Sequence, residues 1–296
     1  MKAVSASTNR LGNRNNNQDR CLTLVQPERA LLVVADGMGG HARGDLAAQT
    51  AVESLHRSFL SCPGSIRDPE AFLLQALNHA HLAVVDAGHA QQPPVVPRTT
   101  CVVCLLQGAQ AWWAHLGDSR LYLVRDGGIF TRTRDHTPVE ELVQQGTIEE
   151  DALRTHPMRN TVSRCLGGTP ELPKITLGQA CLEPGDTLLL CSDGLWSAVS
   201  EDRLCDLPED GARLDQRVNQ LADEADVATY PQSDNITLVA LRWLAQADNT
   251  AAAAPETPPA PEHPDREPPA DRDDPVQQAI EEIHRAMLEY GGEMKK

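Results

Sequence analysis

Apolar residues in the first 244 positions gather into short runs bounded by turn residues, with few long periodic stretches. Residues 30–35 (Ala-Leu-Leu-Val-Val-Ala) read as a buried strand running into Asp36-Gly37, and residues 99–106 as another. Residues 111–116 and 120–124 flank a loop, and Asp126-Gly127-Gly128 forms a hairpin turn into 129–132. Residues 187–191 and 235–241 complete the predicted strands, while about 45–60, 69–88 and 213–225 carry apolar positions at helical spacing. The strands arrive as hairpins after a helical pair. That order argues against a doubly wound parallel sheet and for an α+β fold of antiparallel sheets covered by helices on their outer faces. No internal repeat is evident.

Residues 135–167 break this pattern. Two short helical pieces, 139–145 and 149–154, precede His156-Pro157-Met158-Arg159-Asn160. By themselves they read as a solvated insertion.

Near residue 245 the composition changes. Eight of the chain's 21 prolines lie between Pro255 and Pro275 among Ala, Glu and Asp, so 245–275 is expected to be an extended, disordered acidic linker. Beyond it Asp274 can N-cap a helix and Pro275 suits its first position. Val276, Ile280, Ile283, Met287 and Tyr290 then share one face of a helix over 276–290, which Gly291 and Gly292 end. An apolar stripe on a tether fits a partner: the body, a second copy or another protein. The plainer reading is a frayed, weakly docked helix.

The 296 residues include 42 acidic and 26 basic side chains, a net charge of -16, with 41% hydrophobic residues. Such a chain can build a core. Its acidity disfavours nucleic acid, whose phosphates reward Lys and Arg, and charge-driven attachment to anionic membranes. No run of 18 apolar residues exists to span a bilayer, and residues 1–12 lack the apolar stretch of a secretory signal, so a cytoplasmic location is expected. Cys101 and Cys104 have zinc-like spacing. No second pair follows, however, and on a strand residues three apart face opposite ways, so buried thiols are the expectation.

Three strand ends carry an aspartate: Asp36 after 33–35, Asp193 after 189–192, and Asp234 just before 236–241. Taken singly, each is an ordinary turn residue. Together, carboxylates at the ends of buried strands without adjacent Lys or Arg repel one another unless a cation compensates. Hard divalent ions such as Mg2+ or Mn2+ take such oxygen ligands.

The motifs Gly12-Asn13-Arg14-Asn15-Asn16-Asn17-Gln18-Asp19, Val34-Ala35-Asp36-Gly37-Met38-Gly39-Gly40-His41, Gly117-Asp118-Ser119-Arg120, Ser192-Asp193-Gly194-Leu195-Trp196 and Ser233-Asp234-Asn235-Ile236 follow in one order. Over about residues 5–243 this resembles the metal-dependent Ser/Thr protein phosphatases of type 2C, in their bacterial branch. The resemblance implies a four-layer α-β-β-α sandwich of two antiparallel sheets flanked by helices, with a catalytic domain over 1–244 and a flap at about 135–167. It implies two Mn2+ or Mg2+ ions. Asp36 would bridge both, the Gly37 carbonyl would serve one, Asp193 and Asp234 the other, and Asp19 would bind through water. Asp118 with Asp193 would hold a third, weaker ion, and Arg14 would clamp the substrate phosphate. Two metals can activate a shared water and stabilise in-line displacement, while Arg14 offers a planar charged fork to phosphoryl oxygens. The implied activity is hydrolysis of phosphoserine and phosphothreonine in proteins, opposing a Ser/Thr kinase.

Two departures stand out. Gln18 replaces the Glu common beside Asp19, lowering the charge around the metal waters. Met38 stands where animal members carry a histidine, a proposed general acid, and Met cannot donate a proton. His41 is nearby but reads more readily as a structural residue at a helix entry. Other classes remain: a phosphatase-like scaffold recruiting a partner through its tail helix, or a phosphatase for small molecules or anti-sigma-factor antagonists.

Overall fold

The computed structural model describes residues 2–38, 43–149, 156–159, 161–208 and 211–245. The linker at 246–275, the helix expected at 276–290 and His41 lie outside the described residues, as does nearly all of the helical piece at 149–154. The chain opens with β1 (Lys2–Arg10), β2 (Asp19–Val25) and β3 (Arg29–Met38), then the helical pair α1 (Gly44–Ser61) and α2 (Pro69–His89). A meander follows: β4 (Arg98–Thr99), β5 (Cys101–Gln107), β6 (Gln110–Leu116), β7 (Arg120–Arg125) and β8 (Gly128–Arg132). After α3 (Pro138–Gln144) come β9 (Leu166–Gly167), β10 (Thr176–Cys181) and β11 (Thr187–Cys191). The fold closes with α4 (Asp193–Trp196), α5 (Glu201–Cys205), α6 (Gly211–Thr229) and β12 (Ile236–Ala245).

All strand pairs are antiparallel, in two sheets. One runs β1-β12-β11-β7-β8; the other runs β10-β6-β5-β3-β4-β9, with β2 on β3. Side-chain alternation assigns each strand two destinations. Leu32, Val34, Cys104, Leu106, Leu121, Leu188 and Val239 meet between the sheets. Leu31, Val33, Ala35, Val103 and Leu105 face Leu55, Phe59 and Leu77 of α1 and α2. Leu189, Cys191, Leu238 and Ala240 face Leu214, Val218 and Leu221 of α6. The layers are therefore helix pair, sheet, sheet, helix. This explains why 30–35 is apolar throughout: both faces are covered, and each such side chain contributes about 1.5–3 kcal/mol on burial.

The β7–β8 turn forms as expected. Arg125 pairs with Gly128, and Asp126 and Gly127 both take positive φ (50° and 75°), as a two-residue loop between twisted strands requires. Cys101 joins the helix-side core and Cys104 the inter-sheet core, so the pair cannot share a metal. Burial pushes the Cys101 thiol up to about 12 and those of Cys104 and Cys191 further. Three strands carry little apolar signal. β1 buries only Ala6 and Thr8, β2 begins on charged Asp19-Arg20, and β10 holds Gly178, on which a Cβ would sit 2.4 Å from the Trp113 indole nitrogen. The strand expected at 99–106 is interrupted at Thr100, dividing β4 from β5. Among the described residues no helix is long and apolar enough to cross a membrane.

Candidate metal centre

Register sets the first contact. β2 and β3 pair Asp19 directly with Asp36, so both carboxylates rise from the same sheet face. Asp36 sits where the ladder breaks. Its N–H donates to Thr100 Oγ1 at 3.2 Å, and its carbonyl accepts from Thr99 Oγ1 and the Thr100 N–H, both at 2.8 Å. Thr100 also reaches Ser119 Oγ at 2.7 Å, linking this kink to the β6–β7 loop that carries Asp118.

The other sheet supplies Asp193 and Asp234 from its two central strands. Ser192 Oγ donates to Asp19 Oδ2 at 2.7 Å and accepts the Thr237 N–H at 3.0 Å, so one hydroxyl ties β2, β11 and β12 together. Gly194 lets the turn after β11 lie on β12: a Cβ there would stand 2.1 Å from the Asn235 carbonyl oxygen. Asn235 gathers the Arg14 loop by donating to the Leu11 and Asn16 carbonyls and accepting the Gln18 N–H at 2.8 Å. Trp196 Nε1 holds the Asp118 carbonyl at 2.8 Å. Gly37 follows Asp36 in β3 and donates its N–H to the Gln18 carbonyl; a Cβ on it would meet the Gly44 oxygen at 2.1 Å.

Asp19, Asp36, Asp118, Asp193 and Asp234 thus converge at one end of the sandwich. Asp36 is within hydrogen-bond reach of both Asp19 and Asp193. Burial, opposed in part by the Ser192 hydrogen bond and reinforced by Asp234, pushes Asp19 up to about 6. Burial, then Asp234 and Asp19, push Asp193 up to about 7. Asp36 is raised well above the carboxylate range by burial and the other four acids, and Asp118 by burial, Asp193 and Asp135. Arg120 lies beside Asp118 but is committed to Asp135 through two 2.8 Å bonds and stacks on Trp196. Arg14 pairs with Asp234 at 2.7 Å, with both side chains about half exposed (53% and 42%).

This donor set fits a hard divalent cation. The fit is one of donor chemistry: the set is all oxygen and short of positive charge, and Asp19 Oδ1 is buried without a hydrogen-bond partner, although among the described residues no three such side chains are gathered closely enough to hold an ion as they stand. Beside the carboxylates opens a cleft of about 970 Å³. Arg14, Asp193 and Asp234 line one part of it, and Arg132, Val139 and Arg159 another. Val139 belongs to α3, which Thr137 caps by accepting the Glu140 N–H. Met38 pairs with Arg98 at the end of β3 and brings no proton donor. Thr100, Ser119, Ser192, Asn235 and Trp196 support the site but are absent from the expected ligand set. Ser192, Asn235 and Trp196 stand inside the recognised motifs, whereas Thr100 carries no sequence signal.

The sequence matches the protein phosphatase 2C family profile over residues 7–229. It is 30% identical over 213 residues to the serine/threonine phosphatase stp of Listeria welshimeri, covering 71% of this chain and 82% of that one. The serine/threonine phosphatase of S. agalactiae superposes with a TM-score of 0.73 at 27% identity, covering 82% of this chain and all of its own. The catalytic domain of the serine/threonine protein phosphatase PstP, solved with two manganese ions, superposes with a TM-score of 0.68 at 31% identity over 82% of this chain and 100% of that one. With the sandwich, the aspartate cluster and these relatives in agreement, the chain belongs to the protein phosphatase 2C family, in its bacterial branch.

Proposed function

We propose that this chain hydrolyses phosphoserine and phosphothreonine esters in proteins with two Mn2+ or Mg2+ ions, opposing a Ser/Thr kinase in the cytoplasm. One observation carries the reading: buried carboxylates from both sheets meet, undercompensated, at a cleft that also holds Arg14. In this reading Asp36, the Gly37 carbonyl, Asp193 and Asp234 would hold the two ions. Asp19 would contribute through water, and Asp118 with Asp193 would hold a third, weaker ion. Bound ions supply a nucleophile at neutral pH and offset charge on the phosphoryl oxygens. The catalytic unit is 1–244 with a flap at about 135–167, and the apolar face expected over 276–290 docks on the body, a second copy or another protein.

The chain's own residues bind and orient. The exposed Arg14–Asp234 pair contributes about 0–1 kcal/mol, so Arg14 leaves it at little cost. It then presents two N–H groups to non-bridging phosphate oxygens. Arg14→Ala should lower kcat/KM about 10–100-fold, the loss of charged hydrogen bonds worth about 1.5–3 kcal/mol. Arg14→Lys should recover only part of this, because an ammonium lacks the fork. Steady-state kinetics on a phosphopeptide decide it, and an alanine variant with wild-type kcat/KM would remove Arg14 from the site. Among the described residues no histidine lines the cleft, whereas the acids Asp135 and Glu201 do.

The reading is tested by hydrolysis of an aryl phosphate with Mn2+ and with chelator, then of matched phosphoserine, phosphothreonine and phosphotyrosine peptides. Activity that ignores the chelator would end the metal mechanism. Inactivity in every metal would favour the scaffold reading, and turnover of phosphotyrosine alone would overturn the substrate class.

A further inference from the structure

His136 is a buried side chain that joins three separate segments. Its Nδ1 accepts the Gly117 N–H at 3.2 Å, while its own N–H donates to the Gly117 carbonyl at 2.9 Å. Its carbonyl accepts both the N–H (2.9 Å) and the Oγ–H (3.0 Å) of Ser163, on the far limb of the 135–167 segment. Its Nε2 lies 2.8 Å from Thr176 Oγ1 on β10. The ring stacks on His115 at 4.5 Å between centroids and 5° between planes.

The partners dictate the proton positions. An amide N–H can only donate, so Nδ1 of His136 is bare and its proton sits on Nε2, directed at Thr176. The Arg134 carbonyl can only accept, so His115 is also protonated at Nε2. Burial, then His115 and Arg164, push His136 down to about 2, so it stays neutral throughout the physiological range.

Gly117 is the residue before Asp118. Its φ is +96°, and a Cβ on it would meet Thr100 Cγ2 at 2.6 Å, so the turn has a single close-packed shape. Asp118 itself is buried, and among the described residues no side-chain hydrogen bond of its own to another residue fixes the loop that carries it; the contacts that do are made by its own and its neighbour's backbone. Trp196 grips the Asp118 carbonyl from one side, and His136 grips both polar groups of Gly117 from the other.

We propose that His136 is a positioning residue that holds Asp118 in the metal centre, by accepting the Gly117 amide at Nδ1. The proposal rests on the reading above that Asp118 takes a divalent ion. The closing experiment is calorimetric titration of the full chain with Mn2+, alongside melting curves. His136→Phe keeps the ring and the stacking but removes the acceptor; His136→Asn keeps an acceptor near the Nδ1 position but loses the Thr176 contact. The Phe variant should weaken the weakest Mn2+ site at least about tenfold, and the Asn variant should restore it to within about threefold of wild type. Phe and Asn variants that melt lower yet bind Mn2+ like wild type would show a merely structural role and overturn the proposal. Wild-type protein that binds no Mn2+ would overturn the metal reading with it, so the two failures are distinct. Imidazole nitrogen shifts of the wild-type protein test the same claim without a variant: Nδ1 should be unprotonated and the Gly117 amide slow to exchange, and an Nδ1–H tautomer would overturn it.

Discussion

Asp36→Asn should abolish most activity while making the metal-free protein more stable. Asp36 faces four other carboxylates and is held above its ordinary range by burial and by all of them. An amide of the same shape cannot ionise, so it escapes the cost that burial and those neighbours place on a carboxyl there. Relieving about 1–2 kcal/mol of repulsion would raise the melting temperature of the apo protein by roughly 3–6 °C, since about 1 kcal/mol shifts it 2–4 °C in a chain of this size. The same substitution removes the ligand assigned to both ions, and kcat/KM should fall about a thousandfold. Stabilisation by Mn2+ should shrink with it. Melting curves with and without Mn2+, together with phosphopeptide kinetics, test both signs. An apo variant less stable than wild type would mean that Asp36 is held by its partners in the fold rather than repelled by its neighbours.

Metal stabilisation should grow as the pH rises from 5 to 7.5. Asp19 and Asp193 have folded values of about 6 and about 7 against an ordinary 3.8. Between those limits the metal-free native state holds more protons than the unfolded chain, so its stability falls as pH rises through the window. Below about pH 4 both states are protonated and the penalty vanishes; above about 7 it is present in full. Divalent ions replace those protons, so binding releases protons and strengthens with pH. At 100 times the dissociation constant the ions add about 2.7 kcal/mol, a shift of roughly 5–10 °C at pH 7.5. At pH 5 the shift should be small. Equal shifts at both pH values would show that the carboxylates do not carry the coupling.

Much of this was legible in the chain. The runs at 30–35, 187–191 and 235–241 became central strands because they are apolar on both faces, and only a layer between two others uses such a strand. The helices at 44–61, 69–89 and 211–229 appeared within a few residues of their expected ends. Asp36, Asp193 and Asp234 stood out because each ends a buried run. β1, β2 and β10 gave no such signal. The buried positions of β1 are small (Ala6, Thr8) and β10 carries Gly178, while β2 buries Leu22 and Leu24 only in part, so their place comes largely from hydrogen bonds to neighbouring strands.

The chain by itself therefore determined which residues are buried and in what order the acidic turns occur, since periodicity and turn chemistry are local properties. Only the tertiary structure decided how those acids meet. The pairing of Asp19 with Asp36, the break at Thr100, the Ser192 bridge to Asp19 across 173 positions and the Asn235 clasp across 217 all depend on sheet register and packing. Local sequence does not encode such contacts. They form because each polar group carried to the end of the sandwich needs a partner, and the partners come from distant strands.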